Sequence, residues 1–528
     1  MPKLLIVLFT LLLAMPTASA MNVDAFIDSK LAPVTNAIAD FIFMNMPGTE
    51  VPIIIFWILF AGIFFTFYFR GLSIWGFKHA IDTVINHDKN HADKHDNKDG
   101  SSAGEVSSLQ ALATALSGTI GIGSIAGVAI SISIGGPGAA FWIFAGAILG
   151  MSIKFVEASA AVKYRRFNLD GSVSGGPMHY IAHGLTRKKL RPLGQTLAII
   201  FATLCIGGAI TGGNMIQINQ SAHQLVLITG GENSFLHGCT WAFGLVVAIL
   251  VGAAVVGGIK SIAKVTSILV PSMCFLYIGA GLIVILANIM NLPHAIGIII
   301  KEAFAPEAVA GGVFGTIIIG LRRSVQSNEA GTGAAAIAYA AVKTKEPISQ
   351  GFVSILETFL TGVLCLLTSF TIVFTGAYLN QHEGISGIEL ASSAFESVIP
   401  FFPILLSVVV ILFALSTLIS WAYYGQKSWN YLFGEGKKRN LTFNILYCLF
   451  IVIGSAMNVK SIIDITDAMM IAMSIPNLIA LYILAPEIKQ DMFDYCRRFK
   501  VGTWIYRDQL GKLEPATVPV ETNEKEAA

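Results

Sequence analysis

The chain has 528 residues, of which 54% are apolar types and only 12% are charged, and its mean hydropathy is +0.70. That charged share is about half of the roughly 25% usual in soluble domains, which excludes both a water-soluble globule and a disordered chain. Its 34 basic and 32 acidic residues leave a formal net charge of +2, too small a basic excess to serve nucleic acid. The composition reads as an all-α polytopic membrane protein.

Residues 1–20 have the form of a signal peptide: Lys3, an apolar stretch from Leu4 to Met15, and Ala18-Ser19-Ala20 at the cleavage position. An external amphipathic segment, 21–50, precedes a first transmembrane helix at 51–69, and a polar linker at 70–107 follows it. Within the linker His87, His91 and His95 recur every four residues among aspartates, a pattern read as solvated linker ahead of metal site. A hydrocarbon core of about 30 Å needs about 20 apolar residues in helix. That length fits further runs near 108–134, 139–162, 195–228, 238–257, 265–288, 309–341, 352–376, 398–426, 441–457 and 462–486. The expectation is eleven transmembrane helices, since the alternation of an outer-membrane barrel strand is missing from them.

Basic residues orient the map. With the mature N-terminus outside, the inner segments carry 27 Lys and Arg, and the outer ones only Lys30, Lys301 and Lys460. The C-terminal tail, 488–528, is then cytoplasmic, and the membrane is a bacterial-type inner (plasma) membrane. Cys205, Cys239, Cys274, Cys365, Cys448 and Cys496 are scattered singly, without metal or disulfide spacing, and read as small packing residues.

Gly118-Thr-Ile-Gly-Ile-Gly123 recurs as Gly315-Thr-Ile-Ile-Ile-Gly320, identical at five of six positions with an offset of 197. Each copy opens a block of five spans, 108–290 and 309–487, and an odd number of spans turns the second block upside down. Such an inverted five-helix repeat is a transporter architecture, with the site at mid-membrane where the first helix of each block is broken. Gly118, Gly121, Gly123 and Gly127 crowd one of these helices. Arg322, Arg323, Gln326, Asn328 and Glu329 crowd the other, and charges at that depth mark a working site. Of the remaining polar residues, Lys154 and Glu157 lie three apart and are expected to neutralise each other. Glu357 could pair with Arg322 or Arg323. Gln217 and Asn219 could be interhelical glue or site lining, and Ser416, Thr417 and Trp421 could share one cavity wall.

Taken together, SGTIGIGSIAGVAI and IGGPGAAFW (117–142), SGGPMHYI (174–181), GGIKSIAKV (257–265), RRSVQSNEAGTG (322–333), FALSTLISWAYYG (413–425) and IPNLIALYIL (475–484) resemble the alanine or glycine:cation symporter family. The likeness runs in order from about residue 51 to 490. It implies a fold like that of the neurotransmitter:sodium symporters, with one extra N-terminal helix, and sodium-coupled uptake of small neutral amino acids. It further implies that backbone at Thr119, Gly121 and Gly123 meets the substrate carboxylate, that Gln217 and Asn328 line the pocket, and that Trp421 caps the side chain. Sodium, the coupling ion, would be held by carbonyls of Ser117 and Ile120 and hydroxyls of Ser416 and Thr417, all-oxygen ligation that suits a hard cation; no organic cofactor is implied. The chain departs from the family pattern where GTGN reads GIGS, placing Ser124 at the break. It departs again where RRGxFSNEAG reads RRSVQSNEAG, placing Gln326 for Phe, and where EPFIDT reads ETFLTG. The polar Gln326 leaves serine and glutamine open beside alanine and glycine, and proton coupling through Glu329 or Glu357 is the alternative to sodium. Neither a ring of like charge nor a catalytic motif such as HExxH or GxSxG is present, so the expectation is a secondary transporter acting as a monomer, not a channel or an enzyme.

Overall fold

A computed structural model describes residues 52–90, 104–168, 171–255, 258–304, 312–379 and 387–502, together with 33, 37–38 and 40–46. The signal peptide, most of the segment 21–50, His91 and His95 of the linker and the tail beyond 502 lie outside the described residues.

The described chain is almost wholly helical. It begins with α1 (Ile53–Tyr68), α2 (Leu72–Trp75) and α3 (Phe77–Asn90). A first set follows: α4 (Ser108–Thr119), α5 (Ala126–Gly135), α6 (Gly138–Lys163), α7 (Pro177–Arg187), α8 (Arg191–Ile210), α9 (Ile216–Ile228), α10 (Thr240–Val255) and α11 (Gly258–Ala287). Between α6 and α7, β1 (Arg166–Phe167) pairs antiparallel with β2 (Val173–Ser174). The second set is α12 (Leu292–Phe304), α13 (Gly312–Asn328), α14 (Ala336–Ala340), α15 (Pro347–Thr375), α16 (Ile388–Glu396), α17 (Phe402–Phe433), α18 (Lys437–Ala456), α19 (Val459–Ala472) and α20 (Ser474–Phe499).

Each of the eleven apolar runs overlaps helix. Among the described residues, seven helical stretches are long and apolar enough to cross a membrane, or eight if the bent pair α4–α5 is one span, and α1 and α10 are shorter apolar helices. Their outer surfaces suit acyl chains: Phe60 and Phe67 on α1, Phe275 and Leu286 on α11, and Ile404 on α17 are all exposed. Inside, α6 and α15 approach through small residues, as where a Cβ on Gly351 would come within 2.2 Å of Ser159 Oγ.

Local chemistry sets where the helices start and stop. A capping box opens α4: Ser107 Oγ accepts the Gln110 N–H at 3.2 Å while Gln110 Oε1 accepts the Ser107 N–H at 3.0 Å. At its far end α15 stops on Gly376 in the left-handed region (φ 65°). The hexapeptide copy Gly315–Gly320 behaves differently from its first copy, because it lies within unbroken α13. Glycine alone costs a helix only about 1 kcal/mol, and Gly320 serves packing, since a Cβ there would lie 2.5 Å from Trp142 Cβ. The second set does contain a broken helix, but its break lies further on, between α13 and α14.

Candidate substrate and ion site

The first break follows from the chain leaving helical geometry at Ile120 (ψ 73°) and running extended at Gly121 (φ −111°, ψ −166°). A short turn, Ile122–Ser124, leads into α5, and α4 and α5 meet at a 61° bend. The backbone freed here finds a partner on another helix: the Ile122 N–H donates to Gln217 Oε1 at 3.0 Å.

The second break is built by side chains. Asn328 Oδ1 turns back to accept the Ala330 N–H (2.8 Å), and Glu329, Gly331 and Gly333 take positive φ (55°, 91°, 79°). From α6, Glu157 Oε1 accepts the Gly331 N–H at 3.0 Å; from α20, Asn477 Nδ2 donates to the Gly331 carbonyl at 2.7 Å and to Glu157 Oε1 at 2.7 Å. An acid and an amide therefore replace the helical bonds that the break gives up.

A third irregularity completes the site. Between α8 and α9 the turn Thr211–Met215 is π-helical, a form that recurs at functional positions. There Gln217 Nε2 donates to the Gly212 carbonyl at 2.9 Å. A Cβ on Gly213 would fall 2.1 Å from Trp421 Cγ, so only glycine admits the indole. Trp421 Nε1 in turn donates to the Gly118 carbonyl (3.3 Å) and to Glu329 Oε1 (3.1 Å), tying the two breaks together.

These elements line a small polar cavity. Of the residues singled out in the sequence, Thr119, Gly121, Gly123, Gln217, Gln326 and Trp421 line it, joined by Gly118, Gly212, Ile216, Glu329 and Met470. Ser124 and Asn328 do not. Ser124 is buried, with its carbonyl accepting from Thr368 Oγ1 at 3.0 Å. Asn328 donates to Ser324 Oγ at 2.9 Å and lines a second cavity, beside Ile55, Gly62 and Gly150. Asn219 is glue between helices, donating to the Gly454 and Met457 carbonyls at 3.1 and 2.7 Å.

Of the oxygens expected to hold sodium, two meet in a hydrogen bond. Thr417 Oγ1 donates to the Ser117 carbonyl at 2.8 Å, and Ile120 closes the same half-helix one turn on. The Ser416 hydroxyl turns elsewhere, to the Phe413 carbonyl (3.0 Å) and Met273 Sδ (3.6 Å), and its carbonyl accepts from Ser117 Oγ at 2.7 Å. Ser420 Oγ, not singled out in the sequence, lies 2.8 Å from Ser117 Oγ. A Cβ on Gly121 would stand 2.9 Å from both Gln217 Oε1 and Thr417 Oγ1. The bare face of Gly121 is thus where the cavity-lining Gln217 and the Thr417 hydroxyl come together.

The buried charges pair otherwise than their sequence spacing suggested. Lys154 Nζ meets Glu357 Oε1 at 2.9 Å, with Tyr339 OH donating to Glu357 Oε2 at 3.0 Å, while Glu157 serves the second break. Position decides this: Glu357 on α15 faces α6 directly, whereas Arg322 is drawn to Asp467 and Asp464 on α19, and Arg323 to Ser131 Oγ at 3.1 Å. Glu329, expected from its charge at membrane depth to mark a working site and otherwise weighed as a proton carrier, lines the cavity.

The model of the sodium:alanine symporter family matches residues 34–507. "Sodium/alanine symporter AgcS" of Methanococcus maripaludis is 37% identical over 439 residues, covering 82% of this chain and 92% of its own. "Probable sodium/glutamine symporter GlnT" of Bacillus subtilis is 32% identical, covering 85% and 89%. Among solved structures, a Na+-coupled sialic acid symporter in its substrate-bound outward-open state is similar at a TM-score of 0.46 and 11% identity, over 78% of this chain and 82% of that one. With two broken helices around a buried polar cavity and a family match over most of its length, the chain belongs to the sodium:alanine symporter family, a family of membrane transporters and not of enzymes.

Proposed function

We propose that this symporter uses an inward sodium gradient to take up a small neutral amino acid, alanine or glycine first, by alternating access. The observation that carries the reading is Gly121: the space a Cβ would fill there borders both Gln217 Oε1, which lines the cavity, and Thr417 Oγ1, which bonds the Ser117 carbonyl, so one unwound segment can serve a zwitterion and a cation together. In this reading the substrate carboxylate meets the N–H groups at Gly121–Gly123, in the turn just ahead of α5, and Trp421 covers the side chain. Ser117 and Ile120 offer carbonyls to sodium, and Thr417 offers its hydroxyl. Filling this cluster joins α4 to α17 and organises the first break, which favours the loading state. Two five-helix blocks, 108–290 and 309–487, then rock about the cavity in an eleven-span inner-membrane monomer with its mature N-terminus outside and C-terminus inside. Sodium drives the cycle only if it binds the loading state better than the releasing one.

A more polar cargo, serine or glutamine, is the second reading; it is favoured by Gln326, which lines the cavity with its Oε1 buried and without a hydrogen-bond partner among the described residues. Radiolabelled alanine, glycine, serine and glutamine offered to proteoliposomes test both readings. The expected result is accumulation of at least one of them under an inward sodium gradient; equal uptake in sodium and choline buffers refutes the coupling.

A further inference from the structure

Three buried carboxylates, Glu157, Glu329 and Glu357, surround a single buried ammonium, Lys154, and influence one another electrostatically. Two of the three are held by protein partners: Lys154 holds Glu357, and Glu157 Oε1 accepts from both Gly331 and Asn477, while Glu157 Oε2 has no hydrogen-bond partner among the described residues and does not line the polar cavity. Glu329 is not so held. It is 1% exposed, it lines the polar cavity, and among the described residues the donor to its carboxylate is one indole N–H on Oε1. Its Oε2 is buried with no hydrogen-bond partner among the described residues. Its backbone adds a second mark, since φ of 55° is a left-handed conformation that a side chain with a Cβ adopts at a cost. The residue is held there by its neighbours, Asn328 bonding to Ala330 on one side and Gly331 strapped by Glu157 and Asn477 on the other.

A desolvated carboxylate with a bare oxygen is costly unless a cation reaches it. The cavity's cargo, if it is an amino acid, brings one. We infer that Glu329 is the counter-ion for the ammonium group of the transported amino acid, and thereby selects amino acids over the corresponding hydroxy acids. This deepens the transport reading and rests on it. The ammonium has three N–H donors: Glu329 Oε2 takes one, and the Gly118 carbonyl, which shares the Trp421 indole N–H with Glu329, can take another. The carboxylate end then points to the first break, where Gln217 and the Ile122 N–H already meet. A hydroxyl in place of the ammonium brings no charge to Glu329, so the carboxylate's desolvation goes uncompensated.

Purified protein in detergent is titrated with alanine and with lactate at saturating sodium, and sodium binding is measured with ²²Na in the absence of substrate, for wild type, Glu329→Gln and Glu329→Asp. Wild type is expected to bind alanine at least 100-fold more tightly than lactate. In Glu329→Gln alanine binding falls at least 30-fold, the alanine-to-lactate ratio drops below tenfold, and sodium binding stays within threefold of wild type; Glu329→Asp recovers part of the alanine affinity. Alanine affinity within threefold of wild type in Glu329→Gln overturns the assignment, including when the variant's only defect is a lost pH dependence of uptake, which would make Glu329 a proton carrier. Joint loss of sodium and alanine binding in both variants overturns it as well, by showing a structural role. If wild type binds none of alanine, glycine, serine or glutamine, the transport reading itself fails, and that result is independent of Glu329.

Discussion

Adding one methyl group at Gly121 probes the site at the point where cargo and ion come nearest. The backbone there is extended, a conformation alanine adopts freely, so Gly121→Ala acts through its Cβ alone. That carbon would stand 2.9 Å from Gln217 Oε1 and 2.9 Å from Thr417 Oγ1, too close for either to stay. Neither can swing away without loss. Gln217 accepts the Ile122 N–H and donates to the Gly212 carbonyl, and Thr417 donates to the Ser117 carbonyl. Three hydrogen bonds at about 1 kcal/mol each set a penalty of about 1–3 kcal/mol, or about 5- to 150-fold in affinity. Because the methyl group pushes on both Gln217 and Thr417, alanine affinity and the half-saturating sodium concentration should both worsen. Equilibrium binding of labelled alanine at stepped sodium concentrations reads both, with thermal unfolding as a control for folding. A folded Gly121→Ala protein that loses only one of the two affinities would refute the shared-backbone reasoning.

The two neighbouring hydroxyls should separate. Thr417→Ala removes an oxygen beside the Ser117 carbonyl and is expected to raise half-saturating sodium by about 10- to 150-fold, from about 1.5–3 kcal/mol for a bond to a charged group. Ser416→Ala, whose hydroxyl serves Phe413 and Met273, should shift it less than about threefold; equal effects in sodium-dependence curves would remove the distinction. Lys154→Met leaves Glu357 buried and unpaired and should destabilise the protein by about 3–5 kcal/mol, while the joint change with Glu357→Leu restores most of the loss; denaturation of the purified protein in detergent reports both, and a harmless single change contradicts the ion pair's role. Gln326→Phe should narrow uptake towards alanine and glycine, and an unchanged profile across the four amino acids takes Gln326 out of selectivity.

Composition and run length were enough to find apolar helix at all eleven runs, because a bilayer imposes one length and one polarity on everything that crosses it; they did not announce α3, in the expected linker, or α7, α12 and α16, which lie outside those runs. The first break was also legible, since glycines crowd it and its polar residues have no reason to sit in lipid. The second was legible as a segment but not as a position. Gly315–Gly320 repeats the first motif and stays helical, whereas Glu329–Ala335 unwinds because Asn328, Glu157 and Asn477 supply the bonds that helix would have made. Two of those three partners come from distant helices, and no local pattern announces them. The same limit governs Lys154, whose neighbour at three residues is Glu157 but whose bonded partner is 203 residues away. Gln217 and Asn219 show it at closest range: two positions apart on α9, one lines the cavity and the other bonds the Gly454 and Met457 carbonyls, a difference fixed by which way each faces in the assembled bundle.

An ion and a cargo gripped by one unwound segment must bind with linked affinities. Calorimetric titration of alanine into the purified protein, first in a sodium-free buffer and then at saturating sodium, should show alanine binding at least tenfold tighter with the ion present. The converse titration must show the same factor, because coupling between two ligands is reciprocal. An alanine affinity indifferent to sodium would contradict the claim.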